Sequence, residues 1–431
     1  MRAQDLKMLP IAQHFPKDKI EDVEAAVQKA IYQTGVKFPK GSRIAVAVGS
    51  RGIANIAAIT KAAVLEIKAQ GAHPFIIPAM GSHGGAEARG QKRVLEHYGI
   101  SEKTMGVPVV SSLDVVEIPS KYDFKLYMAK DAYEADGVVV INRVKPHTDF
   151  HGPVESGLLK MCVVGLGKHK QALEMHGRGV YGLRELIPKA ARQILKTGKI
   201  HLGIGIVENP LDETLLIKAA DAADMEELDR ELLELARKNM PSLPMEKLDL
   251  LIVDELGKDK SGTGLDTNII GRMGIKGEAD SKPDIAYIIA CELTEASEGN
   301  ALGMGLADFI TKKFYDRIDF AATYENVMTS TFTERGRMPL VADNTRTAVE
   351  WALRAMGRKE PEDILAARIT STLELGKMYV TPAVVKELKT SPVDRKRKIE
   401  VLGQETTLFN DQGELTAFLI KHATQQGECI G

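Results

Sequence analysis

Residues 42–70 read SRIAVAVGSRGIANIAAITKAAVLEIKAQ. An apolar run stops at a glycine and gives way to apolar residues at helical spacing, which predicts a strand, a loop and a helix. The next segment, HPFIIPAMGSHGGAEARGQKRVLEHYG (residues 73–99), repeats this pattern. Two such units in succession favour a parallel sheet covered by helices. In open sheets of this kind, functional residues lie in loops at the carboxyl ends of the strands, and both Arg51 and His83 fall in such loops.

The length of the chain, 431 residues, exceeds what one compact core usually spans, so two domains are expected. The prolines Pro241 and Pro244 follow a long charged helical stretch and mark the predicted boundary. Beyond them, LDLLIVDELG (residues 248–257) restarts the strand–loop pattern. We therefore predict an α/β fold with two domains, residues 1–244 and 245–431. Each domain would be a mostly parallel sheet flanked by helices, with the active site in a cleft between them.

The composition argues against several classes of protein. A formal net charge of −2 gives no long-range attraction to nucleic acid or to an anionic membrane. Three widely separated cysteines do not form a disulfide framework, which indicates a reducing compartment. The N-terminal residues lack the apolar region of a signal peptide, and no apolar run approaches the roughly 18 residues of a membrane span. We expect a cytoplasmic protein that binds neither nucleic acid nor a membrane.

Histidines are concentrated in residues 142–176, NRVKPHTDFHGPVESGLLKMCVVGLGKHKQALEMH. Four of the ten in the chain lie there: His147, His151, His169 and His176. An apolar strand, predicted over residues 137–145, leads into this window, so His147 has the same strand-end position as His83. Two imidazoles facing each other across a pocket could remove a proton on one side and return it on the other. A zinc pair of His147 and His151 is disfavoured because Gly152 and Pro153 disrupt the helix that it would need.

A lysine in the same window, Lys160, stands in the apolar segment SGLLKMCVVGLG (residues 156–167). An amine that loses solvation holds its proton less tightly and becomes a usable nucleophile or covalent tether. The alternative is a lysine that extends its charged end to solvent. The segment VVGLGK (residues 163–168) is a weak match to a phosphate-binding loop because it lacks the third glycine.

A second glycine-rich segment, LGKDKSGTGLDTNIIGR (residues 256–272), lies in the predicted second domain. It contains Lys258 and Arg272, whose side chains could donate charge-assisted hydrogen bonds to a carboxylate. An ordinary solvated loop is the alternative.

The order of these features resembles that of the nickel-dependent lactate racemase family, whose members isomerise 2-hydroxy acids. The features are Arg51, GSHGG with His83, the pair Pro146–His147, SGLLK with Lys160, and His176. The resemblance implies that the chain carries a nickel-pincer nucleotide, a pyridine-derived mononucleotide. This cofactor would be tethered to Lys160 through a thioamide, and its nickel would be bound by His176. Arg51 and Ser156 would contact the cofactor.

The resemblance also implies roles in the reaction. His83 and His147 would be the paired acid/base histidines, while the hydride on the substrate carbon moves to the cofactor and back. His151 lies in an extra stretch relative to the family pattern and is an alternative to His147. Arg51, together with Lys258 or Arg272, would hold the substrate carboxylate. The implied partners are a 2-hydroxy acid and the proteins that make the cofactor.

The sequence therefore predicts a racemase or epimerase of a 2-hydroxy acid. One alternative is an NAD-dependent hydroxy-acid dehydrogenase, which would need a fuller G-x-G-x-x-G fingerprint than the chain shows. The other is a non-catalytic protein that binds nickel or a nucleotide. Such a protein would keep its ligand after replacement of His83 and His147.

Overall fold

The computed structural model describes residues 3–49, 52–357, 359–390, 398–410, 415–416 and 428–430. The chain forms two compact units. The central unit is Lys17–Met240, and the terminal unit joins Met1–Pro16 to Pro241–Gly431. The sequence analysis placed the first residues with the N-terminal domain, whereas strand β1 (Lys7–His14) belongs to the terminal unit because it pairs with strands of the C-terminal region.

The central unit is built on a five-stranded sheet, counted over the described residues, with the order β3–β2–β6–β7–β8. Only β8 runs antiparallel to its neighbour. A separate hairpin joins β4 to β5. The strands are β2 (Arg43–Val48), β3 (His73–Pro78), β4 (Val115–Ile118), β5 (Leu126–Ala129), β6 (Gly137–Arg143), β7 (Ile200–Glu208) and β8 (Thr214–Asp221).

Helices cover both faces of this sheet. One face buries Val46, Val139 and Leu202 in a single cluster with α1 and α2. On the other face, Gly203 of β7 lies against Met225 of α10 and Leu158 of α6. The helices are α1 (Val23–Thr34), α2 (Ile56–Ala69), α3 (Ala88–His97), α4 (Glu102–Met105), α5 (Lys130–Tyr133), α6 (Leu158–Lys160), α7 (Lys168–His176), α8 (Gly179–Tyr181), α9 (Ile187–Leu195) and α10 (Met225–Asn239).

Two π-helical turns interrupt the helices of this second face. One, Met161–Gly165, follows α6 directly, and the other, Gly182–Leu186, joins α8 to α9. Turns of this kind are rare in proteins, and those that occur often lie at functional sites. The first begins at the residue after Lys160.

The terminal unit contains the other sheet, with the order β12–β11–β10–β9–β13–β14–β1–β15–β17 and β16 beside β1. The strands from β12 to β13 are parallel, and the rest pair antiparallel. The strands are β9 (Lys247–Leu256), β10 (Asp284–Leu293), β11 (Phe309–Thr311), β12 (Leu340–Ala342), β13 (Ala366–Ile369), β14 (Lys377–Val380), β15 (Lys398–Val401), β16 (Thr406–Thr407) and β17 (Glu428–Ile430). The helices are α11 (Thr267–Ile270), α12 (Lys312–Tyr315), α13 (Phe320–Ser330), α14 (Thr345–Ala355) and α15 (Pro382–Thr390).

The architecture confirms the predicted α/β class, with mixed, mostly parallel sheets flanked by helices. In the described part of the chain, no helix combines the length and the hydropathy that a bilayer crossing requires.

Candidate active site

The loop after β6 closes on itself. The backbone N–H of Lys145 donates to the carbonyl of Ser156 at 2.8 Å, which pairs the two ends of the loop as in an isolated β-bridge. His147 and His151 lie between these ends. Ser156, predicted as a cofactor contact, thus holds the base of the loop with its carbonyl. The loop is followed directly by α6, which contains Lys160.

A buried carboxylate, Glu155, organises this loop from inside. It accepts hydrogen bonds from the backbone N–H of His147 at 2.5 Å and of Gly152 at 3.0 Å. Arg237 of α10 pairs with it at 2.6 Å, and Nδ1 of His151 lies 3.4 Å away. Burial by itself raises the pKa of Glu155, but these hydrogen bonds outweigh burial and lower it. The ionised carboxylate therefore fixes the backbone of His147 and also holds the imidazole of His151.

The amine of Lys160 and the imidazole of His147 are in direct contact. Nζ of Lys160 forms a short hydrogen bond with Nε2 of His147. On the other side of the ring, Nδ1 accepts the backbone N–H of Asp149 at 3.0 Å. The ring packs at a tilt against the buried ring of Phe150, with the centroids 4.8 Å apart. These contacts orient His147 onto the end of Lys160.

The contact between Lys160 and His147 places an amine and an imidazole so that one proton can lie between them. A neutral imidazole carries one N–H, on either ring nitrogen. With the proton on Nε2, Nδ1 accepts the backbone N–H of Asp149 and the Lys160 amine accepts from Nε2. With the proton on Nδ1, which lies 3.8 Å from the Asp149 carboxylate, Nε2 accepts from the Lys160 ammonium. An amine that can pass its proton to a neighbouring imidazole becomes a nucleophile.

Asp229 caps the short helix that carries Lys160. Its side chain is buried on α10, and its two oxygens accept the backbone N–H groups of Leu158 at 2.8 Å and Leu159 at 3.0 Å. A Cβ on Gly157 would lie 2.0 Å from Oδ1 of Asp229, so only glycine lets the carboxylate approach. Burial raises the pKa of Asp229 to about 6, although the two backbone hydrogen bonds oppose the shift.

The sequence analysis missed Asp229, but the sequence contains a signal for it. Asp229 lies on the apolar face of α10, whose other buried residues are Met225, Leu228, Leu232, Leu233 and Ala236. A charged residue inside such a stripe is rarely tolerated unless it has hydrogen-bond partners. The position of those partners, at the start of α6, could not be deduced from the pattern.

His176 ends α7 and is electrostatically coupled to Lys160. Burial, and then the positive charge that Lys160 would carry, lower the pKa of His176 to about 4, while Asp149 partly offsets the shift. Burial is the main cause, so the imidazole is neutral near pH 7 whichever form Lys160 takes. A neutral imidazole is the form that binds metal ions.

The remaining predicted residues are distributed over both units. His83 lies on the loop after β3 with an exposed side chain, and its N–H donates to the carbonyl of Met80 at 3.1 Å. Arg51 lies outside the described residues. In the terminal unit, Lys258 donates to the carbonyl of Gly262 at 2.5 Å and to Asn326 at 3.0 Å.

Arg272, also in the terminal unit, pairs with Asp308 at 2.9 Å. It donates further hydrogen bonds to the carbonyls of Leu306, Ile285 and Ala286. These contacts tie α11 and its following turn to β10, which gives Arg272 a role in the fold of its own unit. The structure thus brings His147 and Lys160 into contact, and His176 is close enough for the charge of Lys160 to affect its pKa.

The sequence of residues 48–275 matches the family described as a domain of unknown function, DUF362. The match covers more than half of the chain and contains the whole histidine window. The chain belongs to this family. The description of DUF362 assigns no activity, so the site has to be interpreted from its own chemistry.

A similar fold is found in the lactate racemase apoprotein from Thermoanaerobacterium thermosaccharolyticum. The two structures align with a TM-score of 0.51 at 15% sequence identity, over 85% of this chain and 99% of the racemase chain. At this identity the similarity demonstrates a shared fold and no more. No curated protein sequence matches the chain.

Proposed function

We propose that this protein is a racemase or epimerase of a 2-hydroxy acid that works with a nickel-pincer nucleotide tethered to Lys160. The observation that carries the proposal is the contact between the Lys160 amine and Nε2 of His147, with the neutral imidazole of His176 nearby. A tether needs a nucleophilic amine, and the nickel needs an imidazole lone pair. The similarity of fold to a lactate racemase supports the same proposal.

The donor groups of the site fit such a cofactor. Lys160 offers its amine for the covalent bond, and His176 offers one nitrogen ligand. Among the described residues, no group of three or more His, Cys, Asp or Glu side chains could hold a metal ion. The proposal accordingly takes one metal ligand from the chain and the others from the cofactor. When bound, the cofactor would accept a hydride from the substrate carbon and return it to either face.

His147 would have one role before tethering and another after it. In the untethered chain its Nε2 contacts the Lys160 amine. An acylated lysine nitrogen no longer accepts a hydrogen bond, so tethering would free Nε2 for the substrate hydroxyl. The ring proton would then lie on Nδ1, on the side of the Asp149 carboxylate, which leaves the lone pair of Nε2 for the hydroxyl proton, and the backbone of His147 would still be held by Glu155. His147 would then be an oriented base that removes or returns the hydroxyl proton.

His83 would serve the opposite stereoisomer. Its loop follows β3, and its side chain is exposed, as a group that exchanges protons with a substrate must be. Two bases are needed because the two stereoisomers present their hydroxyl groups to different sides. Arg51 would hold the substrate carboxylate. In the terminal unit, Lys258 bonds Gly262 and Asn326, and Arg272 pairs with Asp308.

The test is expression of the full chain together with the proteins that make the cofactor. Purified protein is measured for nickel content and is assayed on a panel of 2-hydroxy acids for change in optical rotation. We expect about one nickel per chain and isomerisation of at least one acid without added NAD. Nickel-loaded protein that isomerises none of them, yet retains its ligand after replacement of both His83 and His147, would identify a binding protein instead.

A further inference from the structure

The most deeply buried lysine of the site region is Lys168, which has no part in the proposed chemistry. Lys168 is 2% exposed and lies shortly after the π-helical segment that follows Lys160. Nζ of Lys168 donates to the carbonyl of Pro78 at 2.5 Å and to Oε1 of Gln91 at 3.3 Å. Its backbone has a φ of +56°, which a lysine adopts rarely. A strained, buried cation of this kind requires a reason beyond packing.

Gln91 continues the connection to the loop of His83. It is fully buried on α3, and its amide nitrogen donates to the carbonyl of Gly81 at 2.9 Å and of His83 at 3.2 Å. The loop is seated directly on this helix, because a Cβ on Gly90 would lie 1.9 Å from the carbonyl oxygen of Gly84. The hydrogen bonds of Gln91 therefore hold the backbone at His83 and two residues before it.

We propose that Lys168 and Gln91 are positioning residues for His83, linked by hydrogen bonds that run from the end of β3 to the loop. The proposal rests on the role proposed above for His83. It also gives a function to the segment VVGLGK, which the sequence analysis compared with a phosphate-binding loop. Lys168 reaches inward from this segment to Pro78 and Gln91, where it fixes the backbone that presents the imidazole.

The chemistry of the link explains why these residue types stand here. A lysine that donates to two neutral oxygens aligns both of them, whereas an apolar side chain of the same length would only fill the space. Burial lowers the pKa of Lys168 to about 8, and Asp131 partly offsets the shift. The amine therefore stays mostly protonated near pH 7 and can donate to both oxygens at once. Gln91 is the relay, since it accepts from Lys168 with one end and donates to the loop with the other.

Gln91→Glu keeps the hydrogen bond that Gln91 accepts and removes the hydrogen bonds that it donates. The carboxylate still accepts from Lys168 but cannot donate to the carbonyls of Gly81 and His83. Gln171→Met is the matched control, since Gln171 is also fully buried and bonds backbone groups elsewhere, at Tyr127 of β5 and at Lys125 just before it. Lys168→Met removes the other end of the link.

The measurement is amide hydrogen exchange of the untethered full chain over residues 80–87, with the ¹³C resonance of the His83 ring as a second readout. The amides of His83, Ala86 and Glu87 are hydrogen-bonded within the loop, so their exchange reports its order. We expect exchange to rise roughly tenfold in Gln91→Glu and in Lys168→Met, and the His83 resonance to shift, with neither change in Gln171→Met.

Unchanged exchange and an unchanged His83 resonance in Gln91→Glu would overturn the proposal, even if Lys168→Met fails to fold. In tethered enzyme, Gln91→Glu should lower kcat and leave KM nearly unchanged, because the base is misplaced while the substrate contacts remain. If the loop is loosened but His83→Gln keeps full turnover, the positioning is supported and the function proposed for His83 is wrong.

Discussion

The carboxyl edges of the two sheets differ in how their polar side chains are paired. In the central unit, an amine faces an imidazole across a short hydrogen bond, and a second imidazole is kept neutral by burial. In the terminal unit, the corresponding edge lines a cavity of about 430 Å³. Charged residues there face charges of opposite sign: Arg368 with Asp254 at 2.8 Å, Lys313 with Glu292 at 2.5 Å and Lys260 with Glu255 at 3.0 Å.

The difference concerns what the charges do. Ion pairs of this kind stabilise or shape a fold, but their groups are not available to exchange a proton or to form a covalent bond. An amine that can pass its proton to an adjacent imidazole gains a lone pair for a covalent bond. The central edge is therefore expected to decide activity, and the terminal edge to decide stability.

The largest effect is expected from Lys160→Ala in protein expressed with the cofactor-making proteins. Removal of the amine removes the tether, so the increase in intact mass disappears and turnover falls below detection. Lys258→Ala, a lysine at the edge of the other sheet, is the matched control and should keep the mass increase. A full mass increase in Lys160→Ala would refute the distinction between the edges.

The two histidines of the loop after β6 sharpen the same contrast within the central unit. His147→Gln should lower turnover by roughly 10²- to 10⁴-fold, the usual contribution of a general base. His151→Gln should have little effect because the His151 imidazole pairs with Glu155 rather than with Lys160. Steady-state kinetics on tethered enzyme distinguish the two. The reverse ranking would show that His151 occupies the catalytic position.

At the terminal edge, Arg368→Met should act on stability. The guanidinium makes two hydrogen bonds of 2.8 Å to Asp254 and donates to the carbonyl of Thr416 at 2.7 Å. Its removal leaves a mostly buried carboxylate without its partner, which should lower the free energy of unfolding of this unit by about 3 kcal/mol. Urea unfolding measures the loss. Intact mass should still show a tethered Lys160, and an unstable central unit in this variant would contradict the comparison.

Two lysines should respond to pH in opposite directions. Burial lowers the pKa of Lys168 from 10.5 to about 8, so the unfolded chain binds more protons between these values and the contribution of Lys168 to stability rises with pH, by up to about 3 kcal/mol. Burial lowers the pKa of Lys260, but hydrogen bonds and attraction to Glu255 and Glu374 outweigh burial and raise it. The contribution of Lys260 to stability is therefore lost as pH rises through its folded-state pKa.

Unfolding at pH 7.5 and at pH 9.5, compared with Lys168→Met, measures the contribution of Lys168. Unfolding below and above pH 10.5, compared with Lys260→Met, measures that of Lys260, because its contribution is lost only above the unfolded-state pKa of 10.5. If the contributions of both lysines to stability changed with pH in the same direction, the difference that we describe between their surroundings would be wrong.

The local features of the fold followed from the sequence. The apolar runs of residues 42–99 predicted β2, α2, β3 and α3 because strand and helix patterns repeat within short stretches. From the proline pair we predicted a boundary between residues 244 and 245, and the central unit ends at Met240. By contrast, β1 joins β14 and β15, which lie at the far end of the chain, and no local pattern specifies partners so distant.

The candidate site was predictable in its location more than in its contacts. The strand-end rule indicated the loops of His83 and His147, and the apolar segment around Lys160 indicated a reactive amine. The contact of that amine with His147 depends on how Asp149, Phe150 and Glu155 fold the loop. The sequence left open whether Lys160 is buried or extends to solvent. It did not indicate that Lys168 is the more deeply buried lysine, because side-chain burial is set by packing between distant elements.

The most direct test is peptide mass mapping of the full chain after expression with the cofactor-making proteins. The account predicts a single added mass on the peptide that contains Lys160, and none on the peptide that contains Lys168. It also predicts that His147→Gln slows the addition, because the imidazole that contacts the amine can take its proton. Nickel-loaded, active protein with an unmodified Lys160 would contradict it.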